Sequence, residues 1–264
     1  MLISWITQQI ISEIPINMPD NTHHTHLDVI LSYKKNKRDD EIRGEWGAVV
    51  LYRWISLMVT PWFLKISISA TTVTLLSLIL TLCIPLTLLF DNALSYLYMS
   101  ILGIIICILD CIDGNIARVT NTVTRLGHYM DFIVDILYRI IIYITLGLIV
   151  YKTPTFYSFD SILPLLLATL AALMAISARM SRIYVENRLS IHAYGAQDSH
   201  SQDKIAGNYT NKIFSFVSGL DSLLPVFIMI AGAFGKLHWF LVWIFLYSAL
   251  DFLYTQFSIM RQLK

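Results

Sequence analysis

The chain has 264 residues, 56% of them hydrophobic and only 14% charged, against roughly 45–50% apolar and 25% charged in soluble domains. That balance excludes an ordinary soluble globule and predicts an all-α, polytopic membrane protein. A formal net charge of +1 says nothing about partners, because the charges are sorted by location instead of being in excess, and nucleic acid is not indicated.

Residues 1–16 set Leu2, Ile3, Ile6, Ile10 and Ile14 around polar Gln8, Gln9 and Glu13. This is the pattern of an amphipathic helix that lies on a membrane surface or packs on a neighbour. The stretch has neither a basic start nor a small-residue cleavage site and does not read as a secretory signal. Residues 17–40 are polar, so 1–40 form an N-terminal amphipathic segment with a polar linker. His23, His24 and His26 fit either a metal-binding patch or a solvated linker. Lys34, Lys35, Lys37 and Arg38 make a juxtamembrane basic cluster suited to anionic lipid.

The membrane domain is expected over 41–264. In residues 41–65, Trp46, Trp54 and Trp62 alternate with Arg43, Arg53 and Lys65, which predicts an interfacial helix in the headgroup layer. Six spans are predicted within 71–258, at 71–90, 95–112, 130–151, 160–183, 212–234 and 237–258, each near the roughly 20 residues that cross a hydrocarbon core. Short turns at DNALS and GKLH join antiparallel helices. In this topology only Lys152 and Lys236 fall on one face, while all other Lys and Arg fall on the opposite one. The positive-inside rule therefore places both termini and the acidic loop in the cytoplasm. Cys83, Cys107 and Cys111 lie in apolar runs without metal spacing and read as packing thiols. Asp221 and Asp251, costly inside spans, are expected to face a cavity or an opposite charge. The loop 184–211 is either a flap near the cleft or a plain connector.

The most informative stretch is LDCIDGNIARVTNTVTRLGHYMDFIVDIL. Read as helix, Asp110, Asp113, Gly114, Ala117 and Arg118 share one face, and Asp131 and Asp135 share another on the next apolar run. Two helices meeting there converge four acids, and carboxylate-only ligation suits hard cations such as Mg²⁺, Mn²⁺ or Ca²⁺. Gly114 and Ala117 clear the surface beside the acids, and Arg118 offers a fork that suits phosphate. A structural cation site or an ion pathway would also use four acids, but would have no evident use for the small residues and the arginine.

The spacing Asp110-x2-Asp113-Gly114-x2-Ala117-Arg118-x8-Gly127-x3-Asp131-x3-Asp135 resembles the signature of the CDP-alcohol phosphotransferase (CDP-alcohol phosphatidyltransferase) family, with all eight positions filled. The resemblance implies a membrane transferase that moves a substituted phosphate from a CDP-linked donor to an alcohol and releases CMP. It also implies Mg²⁺ or Mn²⁺ as cofactor, as two ions, and a homodimer. On the matching positions, Asp110, Asp113 and Asp131 are implied to be metal ligands. Asp135 is implied to be the second-metal ligand and general base, with Gly114, Ala117, Arg118 and Gly127 lining the CDP site. With such ions held, the diphosphate would be neutralised and a carboxylate could take the proton of an in-line attacking hydroxyl. The helix at 41–65 resembles the interfacial helix of the family's inositol-phosphate-using branches, but their usual Pro-Asn is replaced near Ala70 and Thr71.

The expected donor is CDP-diacylglycerol, with an inositol phosphate, a glycerol phosphate or another small polar alcohol as acceptor. The alternative polarity takes a CDP-linked headgroup as donor and a lipid or polyol as acceptor, and a cation channel or transporter is the contrasting class. Arg179 and Arg182, with Arg139 one turn after Asp135, could hold an acceptor phosphate. They could equally snorkel to headgroups or balance nearby acids. His128, beside Gly127, is either a proton shuttle or incidental.

Overall fold

The structure, a computed structural model, describes residues 26–36, 46–153, 162–195 and 220–262. The predicted helix at 1–16, together with His23, His24, Lys37 and Arg38, lies outside the described residues. No strand is present among those described, and the elements in chain order are α1 (His26–Asn36), α2 (Trp46–Lys65), α3 (Ala70–Cys83), a 3₁₀ segment (Ile84–Leu89), α4 (Asn92–Val119), α5 (Arg125–Lys152), α6 (Leu163–Gly195), α7 (Leu224–Ala233) and α8 (Leu237–Gln262). Among the described residues, six helices are long and apolar enough to cross a membrane. The chain is an integral, multi-pass membrane protein.

Five of those six coincide with predicted spans, and the sixth is Gly47–Lys65, the segment expected in the interface. Conversely, the predicted span 212–234 is described only from residue 220, and there it is not one continuous helix. The backbone turns at Ser222 and Leu223 before α7 begins at Leu224. Pro225 sits in the first turn of α7, where its missing N–H costs nothing and its fixed φ favours a new start. Part of the expected polar linker is also helical. Val29 and Tyr33, four residues apart in α1, bury one face against Leu57 of α2, with Leu64 and Val119 packed around them.

Local chemistry sets the helix ends near the acids. Ser69 caps α3 by accepting from the Thr72 amide at 3.2 Å, a role typical of an N-cap serine. Between α4 and α5 the chain turns through Asn121 at φ 53°, a left-handed conformation that Asn tolerates better than most residues. Thr124 then caps α5, accepting from the Gly127 amide at 3.0 Å. This short turn makes α4 and α5 antiparallel neighbours, so the C-terminal half of one lies beside the N-terminal half of the other.

The main core joins α4, α5, α6, α7 and α8 through residues such as Met99, Ile142, Leu146, Ala168, Ala171, Ile228 and Leu241. A second cluster packs Val73 of α3 on Leu109, Ile112 and Ile116 of α4, with Val59 and Phe63 of α2 around it. Small residues bring α5 and α6 together, as is common where membrane helices pack closely. A Cβ on Gly147 would lie 2.5 Å from Ala168 Cβ and 3.1 Å from the Pro164 carbonyl oxygen. Gly147→Val therefore forces these helices apart and is expected to cost about 1–3 kcal/mol. Thermal unfolding in detergent should show a lower midpoint, and an unchanged one would contradict this packing.

Candidate active site

The extension of α4 to Val119, seven residues past the predicted end of its span, keeps Asp110 to Arg118 helical. The start of α5 at Arg125 likewise puts Gly127, Asp131 and Asp135 on one helix at i, i+4 and i+8. The antiparallel contact then converges the two acidic faces. Ligand oxygens of Asp110, Asp113 and Asp131 all lie within 4.8 Å of one another. Asp113 is buried, at 7% exposure, and its Oδ2 accepts a 2.6 Å hydrogen bond from the Thr74 hydroxyl of α3. Three carboxylate oxygens from two helices form an oxygen-only donor set that fits a hard divalent cation.

Asp135 is placed differently. Its carboxylate pairs with Arg179 Nη2 of α6 at 2.5 Å and with Arg139 Nε at 3.4 Å. Arg139 also pairs with Asp221. Arg182 reaches Asp251 of α8 at 3.0 Å and the Thr255 hydroxyl at 2.9 Å. Arg139, Arg179, Arg182, Asp221 and Asp251 line one pocket together with Ala175, Tyr247 and Ser248. The three predicted acceptor-side arginines thus meet in one place, and the two intramembrane acids Asp221 and Asp251 are their counter-ions.

Gly114 and Arg118 touch. A Cβ on Gly114 would sit 3.3 Å from both Arg118 Nη atoms, so the missing side chain makes room for a guanidinium folded back along α4. Ala117 is half-buried on the same stretch, and Gly127 lies in the first turn of α5, held by the Thr124 cap. His128 is exposed on that same turn. Cys83, Cys107 and Cys111 are free thiols, with Cys107 Sγ 3.9 Å from the Tyr138 hydroxyl, in keeping with packing roles. The basic residues and histidines of the N-terminal stretch have no described side-chain geometry.

Sequence reasoning missed Thr74, Asn115 and the buried face of α2. Asn115 is 1% exposed and Arg53 is 5% exposed, both within hydrogen-bond reach of one another beside the acids. A fully buried asparagine between two motif positions was the available signal, since a polar side chain there needs partners. Thr74 gave no signal, because its partner lies 39 positions away. Thr74→Val removes the hydroxyl that orients Asp113, and losses of such outer-shell partners typically cost about 10–100-fold. Steady-state turnover should fall by about tenfold, and wild-type kinetics would show that Asp113 is oriented by other contacts.

The helices and the carboxylate centre define a multi-pass membrane protein built around a cluster of three acids whose geometry fits a hard cation. A model of the CDP-alcohol phosphatidyltransferase family matches residues 67–206, more than half of the chain, and the chain belongs to that family. It is accordingly a transferase for substituted phosphate groups, using a CDP-alcohol and an alcohol acceptor in the membrane for phospholipid biosynthesis. The family is generally dependent on a divalent metal, in agreement with the donor set seen here. A search among curated proteins finds no match.

Proposed function

We propose that this transferase moves the phosphatidyl group of CDP-diacylglycerol onto a small polar alcohol carrying a phosphate, such as an inositol phosphate or a glycerol phosphate, with release of CMP. The observation that carries this is continuity: Asp135 shares a helix face with Asp131 of the acidic cluster and is paired with two arginines of the neighbouring pocket. Donor and acceptor subsites therefore adjoin at one carboxylate.

Asp110, Asp113 and Asp131 would hold the Mg²⁺ or Mn²⁺, with Asp135 completing the set for a second ion. When bound, the ions neutralise the diphosphate and the departing phosphate oxygen. Arg118, folded over Gly114, faces the donor diphosphate, where a planar fork suits phosphate oxygens. Arg139, Arg179 and Arg182 hold the acceptor phosphate. That places the acceptor hydroxyl beside Asp135, which takes its proton as the oxygen attacks the lipid-side phosphorus. The bond from that phosphorus to CMP breaks in line, and no covalent enzyme intermediate is required.

The sorting of Lys and Arg along the chain supports a site and termini facing the cytoplasm, and the family pattern supports a homodimer.

Purified protein supplied with radiolabelled CDP-diacylglycerol and a panel of alcohols tests the assignment. Label should move from CDP-diacylglycerol into a new phospholipid only with a phosphorylated alcohol, together with stoichiometric CMP. Label transfer from CDP-polyols, with none from CDP-diacylglycerol, would reverse the donor assignment.

A further inference from the structure

We infer that Asn115, clamped by α2 through Arg53, Ser56 and Thr60, is a positioning residue that aims Arg118 at the donor diphosphate. The inference rests on the proposed donor-side role of Arg118. Asn115 Oδ1 accepts from Arg53 Nη1 at 3.1 Å and from Arg118 Nη2 at 2.9 Å. Its Nδ2 donates to Ser56 Oγ at 3.3 Å and to Thr60 Oγ1 at 3.2 Å. Both lone pairs of the oxygen and both amide hydrogens are thereby used, the full capacity of an asparagine side chain.

The polarity of the network allows one arrangement. The Ser56 hydroxyl donates to the Arg53 carbonyl at 2.8 Å, and the Thr60 hydroxyl donates to the Ser56 carbonyl at 2.6 Å. Each hydroxyl has spent its hydrogen on its own helix, so only its lone pairs face the amide. Nδ2 must then point at α2, and Oδ1 must point at the two guanidiniums, which can only donate. Arg53 is itself fixed from two more sides, by the Cys111 carbonyl at 3.3 Å and by the Tyr33 ring, whose centroid lies 4.9 Å from its guanidinium carbon. The rigid end of this chain of contacts is α2, and its adjustable end is Arg118, lying against Gly114.

Gluing α2 to α4 would explain the burial of Arg53 but not the use of the same oxygen by Arg118. A neutral acceptor shared by two cations holds Arg118 in place without cancelling its charge. A carboxylate at this position would hold it as well but would compete with the diphosphate.

Equilibrium binding of CDP in Mg²⁺ to the full-length protein in detergent is the test, with Mn²⁺ binding as the control. Asn115→Ala is expected to weaken CDP by about tenfold, while leaving Mn²⁺ affinity unchanged. Arg118→Ala should weaken CDP at least as much, and adding Asn115→Ala to it should weaken CDP no further, since residues acting through one contact are not additive. Additive losses, or wild-type CDP affinity in Asn115→Ala, would overturn the positioning role. Should Asn115→Ala fail to fold, Arg53→Lys decides, because lysine keeps the charge but not the fork. About a threefold loss of CDP affinity, absent in the Arg118→Ala background, supports the role, and wild-type affinity refutes it. Failure of the unsubstituted protein to bind CDP would instead sink the donor assignment itself.

Discussion

Asp113→Asn should reduce CMP release by about 10³-fold or more while leaving the protein folded. Asparagine keeps the shape of the side chain and can still accept from Thr74, so the packing around residue 113 is preserved. What it lacks is the charge and ligand strength of a carboxylate at the most buried of the three clustered acids. Charge stabilisation by a bound divalent ion contributes several kcal/mol to such a reaction, and about 1.4 kcal/mol corresponds to each tenfold in rate. Stability should move the other way. Three carboxylates within 4.8 Å repel one another in the metal-free protein, and neutralising one relieves that repulsion. Without metal, the variant should therefore melt no lower than wild type. Added Mg²⁺ should raise the melting temperature of wild type, because a ligand that binds only the folded state stabilises it by mass action, and should leave that of the variant unmoved. A variant that melts early without metal would mean that Asp113 is a structural acid.

Asp135→Asn should act on turnover through a different route. Loss of a general base typically costs about 10²–10⁴-fold, and that loss should appear in kcat. The acceptor KM should fall instead of rising. Asp135 pairs with both Arg139 and Arg179, and removing its charge leaves those guanidiniums more strongly attractive to an acceptor phosphate. Steady-state kinetics with the acceptor varied at saturating donor would show both changes. A kcat near wild type would remove Asp135 from proton transfer.

The acid centre was legible in large part, because helical periodicity places Asp110 with Asp113 and the short turn around Asn121 brings Asp131 to them, but Asp135, expected in the same cluster, is instead turned to Arg139 and Arg179. The arginine pocket was legible in part. Arg179 and Arg182 were visible at the end of an apolar run, and the i,i+4 spacing already set Arg139 against Asp135, but the pairings of Arg179 with Asp135, Arg139 with Asp221 and Arg182 with Asp251 link different helices, and periodicity carries no information about such contacts. The path of α2 was read from its tryptophans and basic residues. Those residues describe an interfacial helix equally well as a span in which Arg53 is buried with hydrogen bonds to Asn115 and to the Cys111 carbonyl. The segment 212–234 looked like one span because it is long and mostly apolar, and the break at Ser222 and Leu223 is announced only by the Asp221-Ser222 pair and by Pro225. The face of α2 that contacts Asn115 was not legible, because Arg53, Ser56 and Thr60 gain meaning only from a partner more than 50 positions away.

Mn²⁺ titration of the purified protein, followed by electron paramagnetic resonance, tests without reference to turnover whether Asp110, Asp113 and Asp131 jointly hold a divalent ion. Wild type should take up Mn²⁺ tightly, and Asp110→Asn, Asp113→Asn and Asp131→Asn should each weaken that uptake severely. Retention of wild-type Mn²⁺ affinity in all three variants would contradict the account.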